Sequence, residues 1–323
     1  TNQLVESLKS LNIPNFSFQL IESGEITKDY NLIHYPFFDP FFLTLPLKKE
    51  KPTVVTIHDA IPLVFPEHYP PGVKGNLKFQ IQKFSLKNVK AVITDSENSK
   101  KDIFKYLNYP QEKIYVIPLA PAKDFKIIKN KDLLDKIKRK YQLPEKFVLY
   151  VGDVNYNKNV LDLIKAFADF SNQEKDFKLV LMWKAFLEED LKETQNVIQL
   201  INSLDLNKDI IRLGWIPQEE LVGIYNLASV YCQPSFYEGF GLPVLEAMAC
   251  GCPVAAASTS SLPEVCGQAA IMFDPYNIKS IVEGIKMALN QKSDLIVKGL
   301  KQVGKFTWGK VAQKTYEVYQ KVV

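Results

Sequence analysis

The chain has 323 residues, of which 46% are hydrophobic and 24% are charged, and its net charge is +4. This balance excludes an intrinsically disordered chain, and the length fits two domains of about 150 residues each. Lysine supplies nearly all of the positive charge, since Arg139 and Arg212 are the only arginines. So modest an excess does not favour a nucleic-acid-binding protein. It is compatible with attraction to an anionic membrane surface or to phosphate-bearing ligands.

Neither the apolar runs nor the cysteines indicate a membrane-spanning or secreted protein. The most apolar stretch, PFFDPFFLTLPL at 36–47, is interrupted by Asp39 and is shorter than the roughly 18 residues that a membrane helix needs. The opening TNQLVESLKSL has the pattern of an amphipathic helix rather than of a signal peptide. Four cysteines without paired C-x-x-C spacing favour buried free thiols over a zinc site or a disulfide scaffold. The predicted setting is the cytoplasm, including the inner face of the membrane.

Short β-branched runs alternate with longer helical patterns, which predicts an α/β architecture with parallel sheets. Four strands are predicted in the first part of the chain: NLIHY near 31, TVVTIHD near 53, KAVITDS near 90 and IYVIP near 114. Six follow in the second part: FVLYVG near 147, FKLVLM near 177, IIRLG near 210, SVYCQP near 229, PVAAA near 253 and AAIMF near 269. Helices are predicted between them, one capped by Ser99 with Asp102 three residues on, and one capped by Asn159 with Asp162.

The charged, apolar-poor segment 123–146 separates the two series of strands and predicts a crossover between domains, with the boundary near residue 140. The predicted domains are residues 1–140, residues 141–304, and a terminal helix at 305–323 that packs back on the amino domain. Doubly wound domains bind ligands at the carboxyl ends of their strands. A ligand is therefore expected between the two domains.

The segment PSFYEGFGLPVLEAMACGCP at 234–253 carries the chemistry. Pro243 suits the first turn of a helix and Gly251 suits a left-handed C-cap, which together predict a helix from about 242 to 250. Gly239 and Gly241, just before it, allow backbone N–H groups to approach a ligand closely. A glycine-rich loop that leads into a helix N-terminus predicts an anion site, and a diphosphate is its natural occupant.

Two glutamates flank this loop and are expected to play different parts. Glu246, one turn into the helix, suits hydrogen bonds from ribose hydroxyls, whereas Glu238 precedes the loop and suits a place beside a sugar ring. Paired carboxylates also serve glycosidases, where they act across a sugar from separate elements about 5 to 10 Å apart. The phosphate-type loop between the two acids argues against a glycosidase here.

The same string resembles the donor-site motif of the retaining glycosyltransferases of family four, in which two glutamates separated by seven residues flank a GFG-type loop. Further segments are similar to that family: IHDAIP at 57–62, VGDVNYNKN at 151–159, LGWIPQEELVGIYNLASVYCQPS before the motif, SSLPEVCGQAAIMFDP after it, and FTWGKVAQKTYEVYQKV at the end. The resemblance spans nearly the whole chain. It implies the GT-B architecture, in which two Rossmann-like, doubly wound parallel-sheet domains face each other across a cleft.

The resemblance also implies roles for individual residues. His58 and Glu238 are expected near the reaction centre, His58 by approaching the transferred sugar and Glu238 by holding it. Six residues are expected to bind the donor: Gly152, Lys158, Phe240, Gly241, Leu242 and Glu246. Glu246 would bind the ribose, and Gly152 and Lys158 would line the phosphate site. His34 and His68 are expected to be structural.

The chemistry implied is hexosyl transfer with retention and without a required divalent metal, and the sequence has no Asp-x-Asp metal motif. The contexts around His58 and Glu238 look most like mannosyltransferases and related enzymes of polysaccharide biosynthesis. They imply a GDP- or UDP-sugar donor, with GDP-mannose ranked first, and a saccharide or lipid-linked acceptor. No nucleic-acid partner is expected, and peripheral membrane association is compatible with the charge.

Two departures from the family pattern qualify these expectations. The arginine usual near the family's lysine is absent, since Asp153 and Asn157 stand at its positions, so phosphate neutralisation would rest on Lys158 alone or on Lys184. The family's amino domain also opens with a strand and a glycine-rich loop, whereas this chain has no glycine before Gly24. The sequence therefore predicts an amino domain without its first βα element, which an active enzyme would need.

Two other functions remain open on sequence grounds. One is a nucleotide-sugar epimerase or hydrolase on the same architecture, and the other is a non-catalytic nucleotide-sugar-binding or scaffold protein. The fold alone does not separate them. Nucleotide binding and turnover would separate them.

Overall fold

The computed structural model describes residues 2–14, 16–21 and 30–323. Gly24 lies outside the described residues. The chain divides into two compact units, Thr1–Ala120 together with Phe306–Val323, and Pro121–Lys305. All ten predicted strands are present, each at its predicted place. The predicted α/β class with parallel sheets is confirmed.

The strands are β1 Ile33–Tyr35, β2 Thr53–Thr56, β3 Ala91–Thr94, β4 Ile114–Val116, β5 Lys146–Val151, β6 Phe177–Met182, β7 Ile210–Leu213, β8 Val230–Gln233, β9 Val254–Ala257 and β10 Ile271–Phe273. The helices are α1 Asn2–Ser10, α2 Ile61–Val64, α3 Gly72–Leu86, α4 Glu97–Leu107, α5 Lys131–Lys140, α6 Val160–Ser171, α7 Lys192–Ser203, α8 Gln218–Leu227, α9 Leu242–Ala249, α10 Leu262–Cys266, α11 Ile278–Asn290, α12 Lys292–Val303 and α13 Trp308–Val322. No helix of the described part is long and apolar enough to cross a membrane.

The first unit is built on a parallel sheet with the strand order β1-β2-β3-β4. Strands β2 and β3 are buried along their whole length, which explains their continuous β-branched sequences. Successive residues face opposite sides of the sheet. Val55 accordingly packs with Leu86 and Ile103 on one side, while Val54 packs with Val311 and Val318 of α13 on the other.

His34 ties β1 to the rest of the first unit. One ring nitrogen lies 2.6 Å from the hydroxyl of Tyr319 on α13, and the other lies 2.8 Å from the hydroxyl of Thr56 on β2. Burial, assisted by the nearby charge of His58, lowers the pKa of His34 to about 4. His34 is therefore a neutral, partly buried histidine that is hydrogen-bonded at both ring nitrogens.

The second unit contains a six-stranded parallel sheet with the order β10-β9-β8-β5-β6-β7. Strands β6 and β7 follow on one side of β5. The chain then crosses to the other side of β5, where β8, β9 and β10 lie in order. The strand order therefore reverses between β5 and β8. In open parallel sheets this reversal opens the crevice in which ligands bind.

The division between the units falls at residues 120 and 121, whereas the sequence pattern placed it near 140. The segment between these positions packs on the second unit, chiefly through α5 against α8. Ile137 is buried against Gly223, Tyr141 donates a hydrogen bond to Glu220, and the backbone N–H of Ile128 donates to Asn226 over 2.8 Å. The segment is poor in apolar residues, but its buried side chains Phe125 and Ile137 contact Tyr225 and Gly223 of this unit.

Of the two predicted N-caps, Ser99 is wrong and Asn159 is right in position only. Helix α4 is capped by Ser96, whose hydroxyl accepts from the backbone N–H of Ser99 over 3.0 Å, so the predicted cap Ser99 lies inside the first turn. Asn159 stands at the N-cap position of α6, yet its backbone is left-handed (φ 55°) and its side chain caps nothing. Its amide instead donates to the carbonyls of Pro234 and Pro275, both over 3.0 Å, and fastens the loops after β8 and β10.

The four cysteines are free and buried, as the sequence predicted. Burial raises the pKa of Cys250 and of Cys266 to about 12, and it also raises the pKa of Cys232 and Cys252. Their thiols stay protonated at physiological pH, and their contribution is packing.

Candidate functional site

The candidate site of the second unit lies where β5 and β8 end. Gly152 follows β5 directly, and the loop that contains Glu238 follows β8. Because β5 and β8 are parallel neighbours, their carboxyl ends share one edge of the sheet. The strand-order reversal thus brings Gly152, the turn that carries Lys158 and the glycine-rich loop to one place.

An ion pair joins the partly exposed Lys158 to the buried Glu238. Lys158 ends the 3₁₀ turn Tyr156–Lys158, and its ammonium lies 2.9 Å from both carboxylate oxygens of Glu238. One of these oxygens also accepts from the amide of Gln233 over 2.9 Å and from the hydroxyl of Ser235 over 2.7 Å. A buried carboxylate needs such partners, and here three side chains supply them.

The loop around Glu238 is held on both sides by side chains. On one side the backbone N–H of Glu238 donates to the hydroxyl of Ser260 over 2.8 Å. The hydroxyl of Ser261 donates to the carbonyls of Glu238 and Phe240. On the other side the amide of Asn157 donates to the carbonyl of Tyr237 over 2.9 Å. Asn157 stands at one of the two positions where the family usually has an arginine. It is buried, and its side chain holds this loop.

Helix α9 begins where the sequence predicted. Gly241 precedes it with φ 99°, a left-handed conformation that favours glycine, and Pro243 lies in its first turn. A Cβ atom at Gly241 would come within 2.7 Å of a methyl carbon of Leu262. Gly251 follows the helix with φ 71°, which agrees with the predicted C-cap. Leu242 is the first helical residue and Phe240 is buried beneath the loop.

Gly152 leaves no room for a side chain. A Cβ atom there would lie 2.7 Å from the hydroxyl oxygen of Tyr150, which is fixed because it donates to the carbonyl of Asp153 over 2.7 Å. Asp153 stands at the other position where the family usually has an arginine, and its carboxylate accepts a hydrogen bond from the backbone N–H of Val154. Lys184, the alternative cation, follows β6 and lies 2.7 Å from Glu188.

Glu246 differs in kind from Glu238. It lies on α9, where one carboxylate oxygen accepts from the hydroxyl of the fully buried Tyr225 over 3.1 Å. Burial raises the pKa of Glu246 to about 7, although the Tyr225 hydrogen bond acts to lower it. Near neutral pH this carboxyl group is therefore present in both protonation states.

A second acid–base pair lies at the edge of the sheet in the first unit. His58 lies two residues beyond β2, and Asp95 directly follows the neighbouring parallel strand β3. The Nδ1 atom of His58 lies 2.6 Å from the carboxylate of Asp95, which is buried. Burial alone would lower the pKa of His58, but the hydrogen bond and charge of Asp95 outweigh it and raise that pKa, with a smaller contribution from Asp59.

Sequence reasoning missed several residues that build these sites. They are Asp95 in the first unit, and Gln233, Ser235, Ser260, Ser261 and Tyr225 in the second. The sequence did carry a signal for Asp95. It is an acidic residue directly after a buried strand, where it can contact a residue that follows the neighbouring parallel strand, here His58. The serines carry no such signal, since short polar residues are common in loops.

Two family models match the chain and together cover most of it. The model described as glycosyl transferases group 1 matches residues 134–302, and the one described as glycosyltransferase family 4 matches residues 8–120. The first match contains the Lys158–Glu238 pair and helix α9. The second contains the His58–Asp95 pair.

Two curated relatives are mannosyltransferases of Escherichia coli. The chain is 32% identical over 300 residues to O-antigen chain mannosyltransferase B, a match that covers 91% of this chain and 74% of the relative. It is 28% identical over 278 residues to the serotype-specific mannosyltransferase WbdA, covering 84% of this chain and 34% of that protein. The chain thus spans about a third of the length of WbdA.

Solved structures with the same fold include sucrose-phosphate synthase from Thermosynechococcus elongatus, with a TM-score of 0.71, 23% identity, and coverage of 85% of this chain and 68% of that one. Anabaena HepE, solved in complex with UDP and glucose, matches with a TM-score of 0.71, 19% identity, and coverage of 84% and 72%. These likenesses concern the fold, whereas the family models and the E. coli relatives concern the sequence. The chain therefore belongs to family 4 of the glycosyltransferases, shares their GT-B fold, and is a glycosyltransferase similar to mannosyltransferases.

Proposed function

We propose that this enzyme transfers a mannosyl group from GDP-mannose, with retention of configuration, to a saccharide or lipid-linked acceptor in polysaccharide assembly. The observation that carries the proposal is the Lys158–Glu238 pair beside the glycine-rich start of α9, at the strand-order reversal of the second sheet. The choice of mannose rests on the likeness to O-antigen chain mannosyltransferase B. A UDP-sugar is the second candidate donor, and HepE is a protein of this fold solved with UDP.

In this proposal the diphosphate of the donor binds against the start of α9. Gly241 keeps side chains out of the way, and the backbone of Phe240, Gly241 and Leu242 presents the positive end of the helix dipole. Gly152 likewise leaves the end of β5 without a side chain, so that a phosphate group can approach its backbone. Glu246, ionised, accepts hydrogen bonds from the ribose hydroxyls.

Lys158 neutralises the charge that develops as the nucleoside diphosphate leaves. Its ammonium already faces the candidate site through its pairing with Glu238, so a small movement brings it to a phosphate oxygen. Cationic groups placed in advance where charge develops lower the barrier of such steps. Lys184, which is exposed and paired with Glu188, is less suited to this task.

Glu238 acts by stabilising and positioning rather than as a covalent nucleophile. Its carboxylate is buried and accepts hydrogen bonds from three side chains, Lys158, Gln233 and Ser235. The bond between the anomeric carbon and the phosphate oxygen breaks, and the acceptor hydroxyl oxygen bonds to the same face of the sugar. The leaving phosphate takes the acceptor's proton, so no protein base is needed for this transfer.

His58 keeps the role that the resemblance gives it, a hydrogen bond to the transferred sugar. Its Nδ1 atom is committed to Asp95, which leaves Nε2 to meet a ligand. Asp95 is a positioning residue, because it fixes the tautomer and orientation of the ring. The proposed setting is the cytoplasm, with peripheral association with the membrane that holds a lipid-linked acceptor.

The proposal is tested by separating binding from transfer. We expect Glu238→Ala to lower mannosyl transfer about 10²- to 10³-fold, while GDP binding, measured by calorimetry, is not weakened. Glu246→Ala is expected to weaken GDP binding. Glu219→Ala, which removes an exposed acid of α8, is the matched control and should change neither.

Distinct outcomes would contradict distinct parts of the proposal. Absence of binding to any nucleoside diphosphate would overturn the donor site. Binding without turnover on a broad panel of acceptors would favour a non-catalytic nucleotide-sugar-binding protein. An inverted anomeric configuration in the product, read by NMR, would overturn retention, and faster transfer from UDP-sugars would overturn GDP-mannose.

A further inference from the structure

Three aromatic side chains from different loops meet at the carboxyl edge of the second sheet. Tyr156 lies in the turn after β5, Phe236 in the loop after β8 and Tyr276 in the loop after β10. The rings of Phe236 and Tyr276 are stacked, with centres 4.8 Å apart and planes inclined by 14°. The ring of Tyr156 lies 5.3 Å from that of Phe236 and is tilted by 39°. We call these three side chains the aromatic cluster.

Asn159 joins the two loops that carry the stacked rings. Its amide donates to the carbonyls of Pro234 and Pro275, both over 3.0 Å. Pro275 directly precedes Tyr276, whose backbone N–H donates to the carboxylate of Asp274 over 3.0 Å. The stacked rings are therefore fixed by hydrogen bonds within the protein. A site that is arranged before its ligand arrives loses less entropy on binding.

Tyr276 is the exposed member of the stacked pair. It is 65% exposed, whereas Phe236 is 9% exposed. Because Phe236 covers one face of the Tyr276 ring, the exposed area belongs mainly to the opposite face and the edge. Burial raises the pKa of Tyr276, and the nearby Tyr156 and Asp274 raise it further, which places a carboxylate beside this ring. The cluster thus offers a ligand an aromatic face together with a hydrogen-bond acceptor.

The aromatic cluster adjoins the Lys158–Glu238 pair. Tyr156 lies two residues before Lys158, and Phe236 lies two residues before Glu238. Two residues of chain span at most about 7 Å, so the cluster begins close beside the pair. The loop after β10, which carries Tyr276, supplies none of the residues proposed to bind the donor. A ligand that covers Tyr276 therefore makes contacts that the proposed donor does not.

We propose that the aromatic cluster is a saccharide subsite, in which a sugar ring of the acceptor next to the reacting one stacks on Tyr276. The C–H bonds of a pyranose face carry partial positive charge and are attracted to the negative face of an aromatic ring. Sugar hydroxyls donate hydrogen bonds, which the carboxylate of Asp274 accepts. The same carboxylate repels a phosphate group, so a neutral sugar fits better than a nucleotide. The inference rests on the saccharide acceptor proposed above.

Saturation-transfer NMR on the full chain, with GDP present, tests the subsite. The probes are trisaccharides built of mannose, of glucose or of galactose. We expect saturation transfer to at least one of them, and Tyr276→Ala should weaken its binding about three- to tenfold. Tyr276→Phe keeps the stacked face and should bind nearly as well as the wild type. The matched control Phe104→Ala removes an exposed ring from α4 of the first unit and should leave binding unchanged.

Steady-state kinetics separate the subsite from the reaction centre. In Tyr276→Ala the KM for a trisaccharide acceptor should rise about three- to tenfold, whereas kcat should change less. Methyl α-mannopyranoside has a single ring, which occupies the reaction centre, so its KM should rise less than that of a trisaccharide. Because Tyr276 is largely exposed, the midpoint of thermal unfolding should change little, which excludes misfolding as the cause.

Three results would overturn the inference. The first is a protein that binds GDP but shows no saturation transfer to any trisaccharide, which leaves the donor site standing. The second is an equal loss of GDP binding in Tyr276→Ala, which would make the aromatic cluster part of the nucleotide site. The third is a dimer in sedimentation velocity that Tyr276→Ala dissociates. A protein that binds a trisaccharide through Tyr276 but binds no nucleoside diphosphate would support the subsite and overturn the donor site instead.

Discussion

Each unit of this glycosyltransferase places an acid–base pair just beyond the carboxyl ends of two neighbouring parallel strands. In the first unit His58 and Asp95 follow β2 and β3, and in the second Lys158 and Glu238 belong to the segments after β5 and β8. In both pairs the acid is buried and the base is more exposed, with side-chain exposures of 43% for His58 and 22% for Lys158. A buried carboxylate needs a partner, and in both pairs that partner is the more exposed side chain.

The two pairs differ in how the acid is held. Glu238 is bound by Lys158 and is further anchored by Gln233 and Ser235. His58 is titratable, and its ring is hydrogen-bonded to the carboxylate of Asp95. The strand order also differs, because the first sheet advances in one direction through its described strands while the second reverses between β5 and β8. The second unit thus holds its acid with three side chains, whereas the first pairs its acid with a histidine whose pKa is raised.

The largest effect is expected from Lys158→Met. Transfer should fall about 10²- to 10³-fold, since the leaving diphosphate loses its proposed cation. The free energy of unfolding should also fall by about 2–3 kcal/mol, because the buried Glu238 loses its charged partner, though Lys158 is partly exposed and the loss stays below that of a fully buried pair. Mannosyl transfer assays and denaturant unfolding measure the two effects.

Two further variants make the Lys158 prediction specific. Lys158→Met/Glu238→Gln should recover most of the stability and none of the activity, because no charge is then left unpaired. Lys165→Met, which removes an exposed ion pair with Asp162, should cost less than about 1 kcal/mol. Equal stability losses for Lys158→Met and Lys165→Met would mean that burial does not distinguish the Lys158–Glu238 pair.

A smaller effect is expected from Asp95→Asn. We expect kcat to fall about 10- to 100-fold, because the ring of His58 loses the partner that orients it. Loss of the carboxylate also removes the hydrogen bond and charge that raise the pKa of His58, so that pKa should decrease. NMR titration of the ring and the pH–rate profile measure the shift, and any limb that reports His58 should move to lower pH.

Asp59→Asn provides a graded comparison for Asp95→Asn. Asp59 acts on His58 through its charge, whereas Asp95 acts through both charge and a hydrogen bond. The pKa of His58 should therefore fall less in Asp59→Asn. An unchanged titration in Asp95→Asn would contradict the positioning role of that residue.

The smallest effect concerns Glu246 and the pH. The pKa of its carboxyl group is raised to about 7, and ribose hydroxyls donate to the ionised form. Binding of GDP-mannose, measured by calorimetry, should therefore strengthen about five- to tenfold between pH 6 and pH 8. Glu246→Gln should bind more weakly and show little of this dependence, whereas Tyr225→Phe should move the midpoint to higher pH, because it removes the hydrogen bond that lowers this pKa.

Stability should change in the opposite sense. A carboxyl group whose pKa rises from 4.5 in the unfolded chain to about 7 in the folded one favours folding below pH 4.5, and that contribution is lost as pH rises through 7. Glu246→Gln should thus raise the free energy of unfolding at pH 8 by about 1–3 kcal/mol and change it little near pH 4. A variant that is less stable at pH 8 would contradict the raised pKa.

The sequence predicted what depends on local pattern. All ten strands and both ends of α9 follow from β-branched runs and from Pro243, Gly241 and Gly251. The helix caps show the limit of that approach. Serines stand at both 96 and 99, and the pattern allows α4 to begin at either one. The structure selects Ser96, whose backbone is extended.

What the sequence did not predict depends on contacts between distant segments. Asp95 meets His58 only because β2 and β3 pair in a particular register. Gln233 and Ser260 reach Glu238 from opposite sides, which no spacing along the chain encodes. The division at residue 120 likewise depends on Ile137 packing against α8.

The Lys158–Glu238 pair also has a consequence for selectivity. Because Lys158 is already paired with Glu238, an entering anion must compete with that carboxylate for the ammonium group. Inorganic phosphate, with a single phosphate group and no sugar or ribose to add contacts, is therefore expected to compete poorly at the proposed site. A nucleotide-sugar brings two phosphate groups together with a ribose and a hexose. In the proposed donor site, Glu238 is therefore an internal competitor for Lys158, and a ligand that makes several contacts at once is expected to displace it.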